Sequence, residues 1–315
     1  MAPHPPVLAA DTGGTLIKLG VVQGGQVLAQ DSIPAHSDRP LAERLPALAE
    51  AWRKLCASIG TTAEACGGIG ISFPSIMHPV TGRVLTHFGK YTDAPSLDLK
   101  AWAKETFGLP LCIENDARAA LVGEWQYGAG QHENHLVMIT LGTGLGSAAL
   151  CDGKPLRGGH GQAAIMAGHS TIAWQGAKCP FCGNIGCAEQ EASSAVLPRL
   201  LAHAPGYAQS ALSKEAKQDY AAVFRLAREG DPCAIAVRDH SIKVWGVHAA
   251  NLVLAFDPAK VIVGGGIANA PEVIDGIRAH IHAHALTPWG KVEVAKSRLG
   301  DSAALLGCEW LGRNA

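Results

Sequence analysis

This 315-residue chain reads as an α/β protein built from two related domains. Three observations predict that architecture. The length favours two cores over one. Apolar strand-like runs alternate with helical stripes. A strand, a glycine-threonine turn and a second strand recur in the same order at 7–22 and 136–151, each followed by a further glycine turn, which marks an internal duplication.

Residues 7–10 form a short apolar strand, broken by Asp11-Thr12-Gly13-Gly14-Thr15. Residues 16–22 resume it, Gln23-Gly24-Gly25-Gln26 turns the chain, and 27–33 make a third strand. Leu41, Leu45, Leu48, Trp52 and Leu55 recur at spacings of four and three, a helical stripe with Pro46 in its first turn or at a kink. Residues 67–73 return to strand. Residues 74–100, rich in Pro, Gly and Thr, read as a functional or mobile loop. A helix at 98–107 ends at Gly108, a strand follows at 111–114, and 117–124 is helical again. The second unit repeats the first: strand 136–140, turn Leu141-Gly142-Thr143-Gly144-Leu145-Gly146, strand 147–151 and turn Asp152-Gly153. Helices are predicted at 191–202, 213–229 and 232–256, the last with Asp231 as cap and Pro232 as first helical residue. Strand 260–263 ends in Gly264-Gly265-Gly266, and a helix at 271–285, a strand at 292–295 and a helix from about 302 complete the chain.

Formal net charge is −1, from 26 basic and 27 acidic residues. No block of like charge stands out, so neither nucleic acid nor an anionic membrane is an expected partner. Small-molecule chemistry is left. Met1-Ala2-Pro3-His4-Pro5-Pro6 lacks the basic segment and apolar core of a secretory signal, and no apolar run reaches about 18 residues, so a cytoplasmic location is expected.

Between strand 111–114 and the helix after it stand Asn115 and Asp116. Either can be a helix cap, and a carboxylate there can also face a cleft. Two related domains facing each other place both glycine-threonine turns in the gap between them. Glycines let backbone N–H groups approach phosphate oxygens, and a threonine hydroxyl adds a donor. One such turn is also what a tight hairpin wants; the pair, with a third glycine turn at 264–266, points to a nucleotide. Asp11 is placed to hold a phosphate-bound Mg²⁺, or it serves an Asx turn. The Walker pattern is absent, and no Gly-x-Gly-x-x-Gly opens a helix after the first strand.

Three of the nine cysteines, Cys179, Cys182 and Cys187, lie close together, with His169 upstream. Cys₃His is a closed tetrahedral zinc set, and the intervening glycines allow a tight knuckle. A reduced metal-free loop or a Cys-x-x-Cys redox pair are the alternatives. A filled site has no open position for catalysis; it locks His169 and nearby Glu189, leaving their remaining polar atoms for a ligand.

Together these pieces resemble the ROK family of bacterial sugar kinases and sugar-responsive repressors, over nearly the whole chain. Asp11-Thr12-Gly13-Gly14-Thr15-x-x-Lys18 looks like its first phosphate motif, Gly142-Thr143-Gly144-x-Gly146 its second, and Gly264-Gly265-Gly266 its adenosine-side turn. Glu114-Asn115-Asp116 resembles its catalytic segment, and His169 with Cys182-Gly183-x-x-Gly186-Cys187-x-Glu189 its zinc motif. The resemblance implies a ribonuclease-H-like, actin/hexokinase-type duplicated fold with an interdomain cleft. It divides the chain into 1–113 plus 298–315, a small domain, and 114–297, a larger one carrying the zinc loop at about 169–189. It also implies an ATP-dependent sugar kinase, a homodimer, with Asp116 as general base, Asn115, His169 and Glu189 on the sugar, and ATP and Mg²⁺ on Asp11, Lys18 and the three turns. His169, Cys179, Cys182 and Cys187 hold structural zinc on the same ground.

Three departures stand out. Cys179-x-x-Cys182 replaces the usual Cys-x-Cys, Pro74-Ser75 replaces Pro-Gly, and Met166 takes the place of a sugar-liganding glutamate. A charge-assisted hydrogen bond of about 1.5–3 kcal/mol is thereby lost, which points away from glucose. A non-catalytic sugar sensor acting through a protein partner is the main alternative. The repressor branch carries a helix-turn-helix ahead of this part, for which ten residues before Asp11 leave no room. A zinc hydrolase is opposed by the saturated ligand set.

Overall fold

In the computed structural model, which describes residues 4–315, two five-stranded sheets repeat one strand order. The first contains β1 (Val7–Thr12), β2 (Leu16–Gln23), β3 (Gln26–Pro34), β4 (Gly68–Phe73) and β5 (Leu111–Asn115), arranged β3-β2-β1-β4-β5. The second contains β6 (Leu136–Leu141), β7 (Leu145–Cys151), β8 (Lys154–Pro155), β9 (Lys260–Gly264) and β10 (Glu293–Lys296), arranged β8-β7-β6-β9-β10. Each has an antiparallel hairpin, β1-β2 or β6-β7, followed by two parallel strands. The duplicated α/β plan is therefore present strand for strand. Among the described residues no helix is long and apolar enough to cross a membrane.

One compact unit runs to His132 and takes in Pro155–Ala163 and Arg298–Ala315; the other comprises Glu133–Lys154 and Ala164–Ser297. In the first, helix α1 (Leu45–Ser58) has Pro46 in its first turn, where no intrahelical N–H is needed, and buries Leu48, Trp52 and Leu55. Trp52 is fully enclosed and donates its indole N–H to the Ala9 carbonyl at 3.0 Å. Helix α2 (Leu99–Phe107) starts where the Asp98 carboxylate accepts from Ala101 N at 3.0 Å and stops at left-handed Gly108.

The opposite face of this sheet is set by glycine. Gly68 and Gly70 of β4 share one face because side chains alternate along a strand. A Cβ on Gly70 would strike the Cys308 carbonyl of helix α9 (Ala303–Arg313), and one on Gly68 the Gly312 carbonyl. Helix α3 (Asp116–Tyr127) meets α9 in the same way, since a Cβ at Gly123 would strike the Ala303 carbonyl and one at Gly307 the Ala119 carbonyl. Because α3 packs here, the first unit extends past residue 113.

In the second unit, two predicted helices come out shorter. The stretch 191–202 is divided into α4 (Ala188–Glu191) and α5 (Leu197–His203). Ala192 is extended, with φ −159° and ψ 84°, and the N–H groups of Ser194 and Ala195 bond to the carbonyls of Gly142 and Thr143 instead of to a helix. The stretch 213–229 becomes α-helical only from Tyr220, as α6 (Tyr220–Arg228), where the Asp219 carboxylate caps it by accepting from Ala222 N; a short 3-10 turn, Ala211–Lys214, precedes it. Helices α7 (Pro232–Phe256) and α8 (Pro271–His284) follow, and Asp231 caps α7 as the sequence predicts.

Gly307→Ala should destabilise the protein by about 1–3 kcal/mol, because the α3-α9 contact has no room for a methyl group. Urea unfolding measures it, and an unchanged midpoint would show that the helices separate freely.

Candidate active site

The end of β5 and the start of α3 place three acidic or amide side chains in succession and give each a different environment. Glu114 is buried, with 1% of its surface exposed. Its carboxylate accepts from Arg118 Nη1 at 2.5 Å, Arg157 Nε at 2.8 Å and Asn115 N at 2.9 Å. Arg118, fully buried, also donates through Nη2 to the carbonyls of Gly161 and Ala163 at 3.0 and 3.1 Å. Asn115 is the helix cap: Oδ1 accepts from the N–H groups of Ala117 and Arg118, and Nδ2 donates to the Ser75 carbonyl at 3.1 Å. Capping by its neighbour leaves Asp116 exposed as the first residue of α3, its Oδ1 accepting from Ala117 N at 2.8 Å. Although solvent reaches this carboxyl, desolvation by the protein around it raises its pKa; the Ala117 N–H opposes that, Asp11 adds to it and Lys90 lowers it.

The turn between β1 and β2 lies in the same unit. Gly13 N closes it by donating to the Leu16 carbonyl at 3.0 Å, and a Cβ at Gly13 would press on that oxygen. Asp11, partly buried, accepts from Ser72 Oγ at 2.7 Å, and burial raises its pKa against the effects of Ser72 and Lys18. Lys18 pairs with Asp11 across the hairpin, and its ammonium donates to the Asp301 carbonyl at 3.3 Å. Gly14 and Thr15 are exposed, and Ser37 Oγ donates to the Gly14 carbonyl at 2.8 Å.

In the second unit, Gly142, Thr143 and Gly144 connect β6 to β7, with Gly142 N donating to the Gly144 carbonyl at 3.1 Å. The turn after β9 packs on the end of β6: Gly265, at φ 85°, would strike the Leu141 carbonyl with any side chain. Gly264, Gly265 and Gly266 are thus brought to the Gly142 turn. A cavity of about 580 Å³ opens there, lined in part by Gly142, Ser194, Lys217, Phe224, Arg228 and Gly266.

His169, Cys179, Cys182 and Cys187 place their donor atoms within 4.8 Å of one another. Short bridges between Thr171 and Cys187 and between Lys178 and Ile185 shape the knuckle, with left-handed Gly183 and Gly186 turning it. His169 Nδ1 is 3.9 Å from Cys187 Sγ. Zinc bonds of about 2.3 Å to sulfur and 2.0–2.1 Å to nitrogen set that edge at about 3.6 Å, so the four residues fit a tetrahedral ion. His169 Nε2 points to Glu189, 3.9 Å away, and the other oxygen of Glu189 accepts from Leu145 N at 3.0 Å. A Cβ on Gly144 would collide with that carboxylate unless the Glu189 side chain moved.

Sequence reading did not single out Arg118, Arg157, Ser72 or Lys90. Only Arg118 left a signal, its spacing of four from Glu114; the others join through tertiary contact.

Each of two like sheets ends its central hairpin in a glycine-threonine turn, and one unit adds a carboxylate leading a helix; this defines a duplicated fold suited to holding phosphate. The chain belongs to the ROK family, whose model matches residues 7–315. It is 30% identical to a glucokinase of Halalkalibacterium halodurans over 314 residues, 96% of this chain and 94% of that one. Its fold matches the ROK hexokinase of Thermus thermophilus with a TM-score of 0.82 at 31% identity, covering 98% of this chain and 97% of that one. A ROK glucokinase of Streptomyces griseus, solved with glucose and AMPPNP, matches with a TM-score of 0.77 at 30% identity, covering 98% of this chain and all of that one.

Glu114→Ala strands the Arg118 guanidinium without a carboxylate, which should remove about 3–5 kcal/mol of stability in urea unfolding. A loss under about 1 kcal/mol would mean that Arg118 finds its counter-charge elsewhere.

Proposed function

We propose that this chain transfers the γ-phosphoryl group of ATP to a hydroxyl of a monosaccharide, a hexose or an amino sugar, with Asp116 as general base. The observation that carries the reading is the exposed carboxyl leading α3, relieved of capping by Asn115 and raised in pKa, in the unit that also holds the Asp11 turn. Base strength rises with pKa, so such a carboxylate suits removal of a proton from an attacking hydroxyl. Phosphoryl transfer asks little more of the protein than positioning and charge neutralisation. In this reading the N–H groups of Gly14 and Thr15 and those of Thr143 and Gly144 bind phosphate oxygens, while those of Gly13 and Gly142 close the two turns. The cavity beside Gly142 and Gly266 takes the nucleoside. Asp11 holds Mg²⁺, which neutralises phosphate charge when bound, and Lys18 tempers the carboxylate from across the hairpin.

Asn115 with its second amide hydrogen, His169 and Glu189 are assigned to the sugar hydroxyls. The cysteine knuckle supports that assignment, because filling Nδ1 of His169 with zinc fixes the ring with Nε2 toward Glu189. Met166, half-buried, offers a thioether where related kinases carry a carboxylate, and the preferred sugar is accordingly one other than glucose.

Purified protein should release ADP only when the right sugar is present, and Asp116→Asn should lower kcat by about 10²–10⁴. Asp116 must be ionised to accept a proton, so kcat falls as pH drops through its pKa. Because that pKa is raised, the acid limb stands at higher pH than the ordinary aspartate value of 3.8. Turnover by the Asp116→Asn variant equal to wild type removes Asp116 from the chemistry. Sugar binding without ADP release favours the sugar-sensing alternative, for which Met166 is the motive. Metal analysis should find about one zinc per chain; Cys182→Ser should lose it along with thermal stability, while wild-type turnover follows added Mg²⁺.

A further inference from the structure

Lys90 lies beside the turn between β1 and β2 and has no role in the phosphoryl transfer described above. A Cβ built on Gly14 would lie 3.5 Å from both Cε and Nζ of Lys90, so the ammonium rests against the bare backbone of the first phosphate turn. Its charge also reaches Asp116, whose pKa it lowers. Among the described residues its ammonium has neither a hydrogen bond nor an ion-pair partner, although it is half-buried.

The backbone is built to put it there. Phe88, Gly89 and Tyr91 all have positive φ, at 45°, 78° and 50°. Two of these are not glycine, and such conformations persist only where surrounding contacts over-determine them. The contacts are present: Lys90 N donates to the His87 carbonyl and Tyr91 N to the Ser37 carbonyl, each at 2.8 Å. Tyr91 is fully buried, packs 5.6 Å from the Phe73 ring and donates its hydroxyl toward the Gly13 and Ala35 carbonyls. The segment is clamped to the very turn its lysine covers.

We propose that Lys90 binds the phosphoryl group in transit, an inference that rests on the kinase reading above. In that reading Asp11 is occupied by Mg²⁺, while the Asp116 carboxylate on the attacking side opposes an incoming anion. The Lys90 ammonium beside Asp116 supplies a further positive charge in the unit that carries the base, and its stabilisation grows as charge spreads over the equatorial oxygens. Lysine serves phosphate as a compact point charge, which explains why its position is held by backbone rather than by a side-chain partner.

The test compares wild type, Lys90→Met and Lys90→Arg in ADP release at saturating ATP and sugar, across pH, with circular dichroism as folding control. Lys90→Met should keep the fold, lose about 10²–10³ in kcat at every pH and leave the KM for sugar within about threefold, with Arg recovering part of the loss. If Lys90 serves only to tune Asp116, its removal shifts the acid limb to higher pH and the rate recovers on the plateau, which overturns the inference. A Met variant within about threefold of wild type at all pH values also overturns it while leaving the kinase reading intact. Wild-type protein that turns over no sugar sinks both.

Discussion

The arrangement depends on a buried carboxylate shared by two guanidinium groups. Glu114 alone would be an intolerable charge at the end of β5, and Arg118 alone an equally costly one in the first turn of α3. Their contact across the strand-helix junction fixes the angle at which the helix departs. Arg157 and the carbonyls of Gly161 and Ala163 then tie the returning 155–163 segment to the same point. With Glu114 paired to two guanidinium groups and Asn115 occupied as cap, Asp116 is left as the exposed carboxylate of the triplet.

Glycine supplies the second constraint, and it does so by admitting backbone. Gly68 and Gly70 let α9 lie against β4, while Gly123 and Gly307 let α9 lie against α3. The strand order of the sheet and the direction of α3 are linked through these contacts. In the other unit, Gly265 admits the Leu141 carbonyl, while Gly144 leaves room for a side chain, the Glu189 carboxylate, so a single hairpin end is joined to the cysteine knuckle on one side and to the turn at 264–266 on the other. Geometry set by backbone-on-backbone contact is rigid because peptide units have no rotamers to exchange.

How these contacts were legible differs from residue to residue. The β1-β2 and β6-β7 hairpins, the cap at Asp231 and the Cys₃His spacing announce themselves because each is governed by neighbours within a few positions. The stretches 191–202 and 213–229 have helical apolar spacing, but Ser194 and Ala195 bond to the turn at 142–143 and Asp219 caps a later start, which shortens both helices. Asn115 and Asp116 could not be told apart as cap and free carboxylate until Ser75 and the helix N–H groups were seen to claim the amide.

Sequence alone therefore determined the repeated α/β plan, the family and the residue types of the turns, because local periodicity, glycine turns and ligand spacing are short-range properties. Only tertiary structure decided that Arg118 and Arg157 neutralise Glu114, that glycine faces set the α3-α9 approach and that Lys90 lies over the Gly14 turn. Those depend on burial and on long-range charge pairing, whose energies exist only once distant segments have excluded water between them.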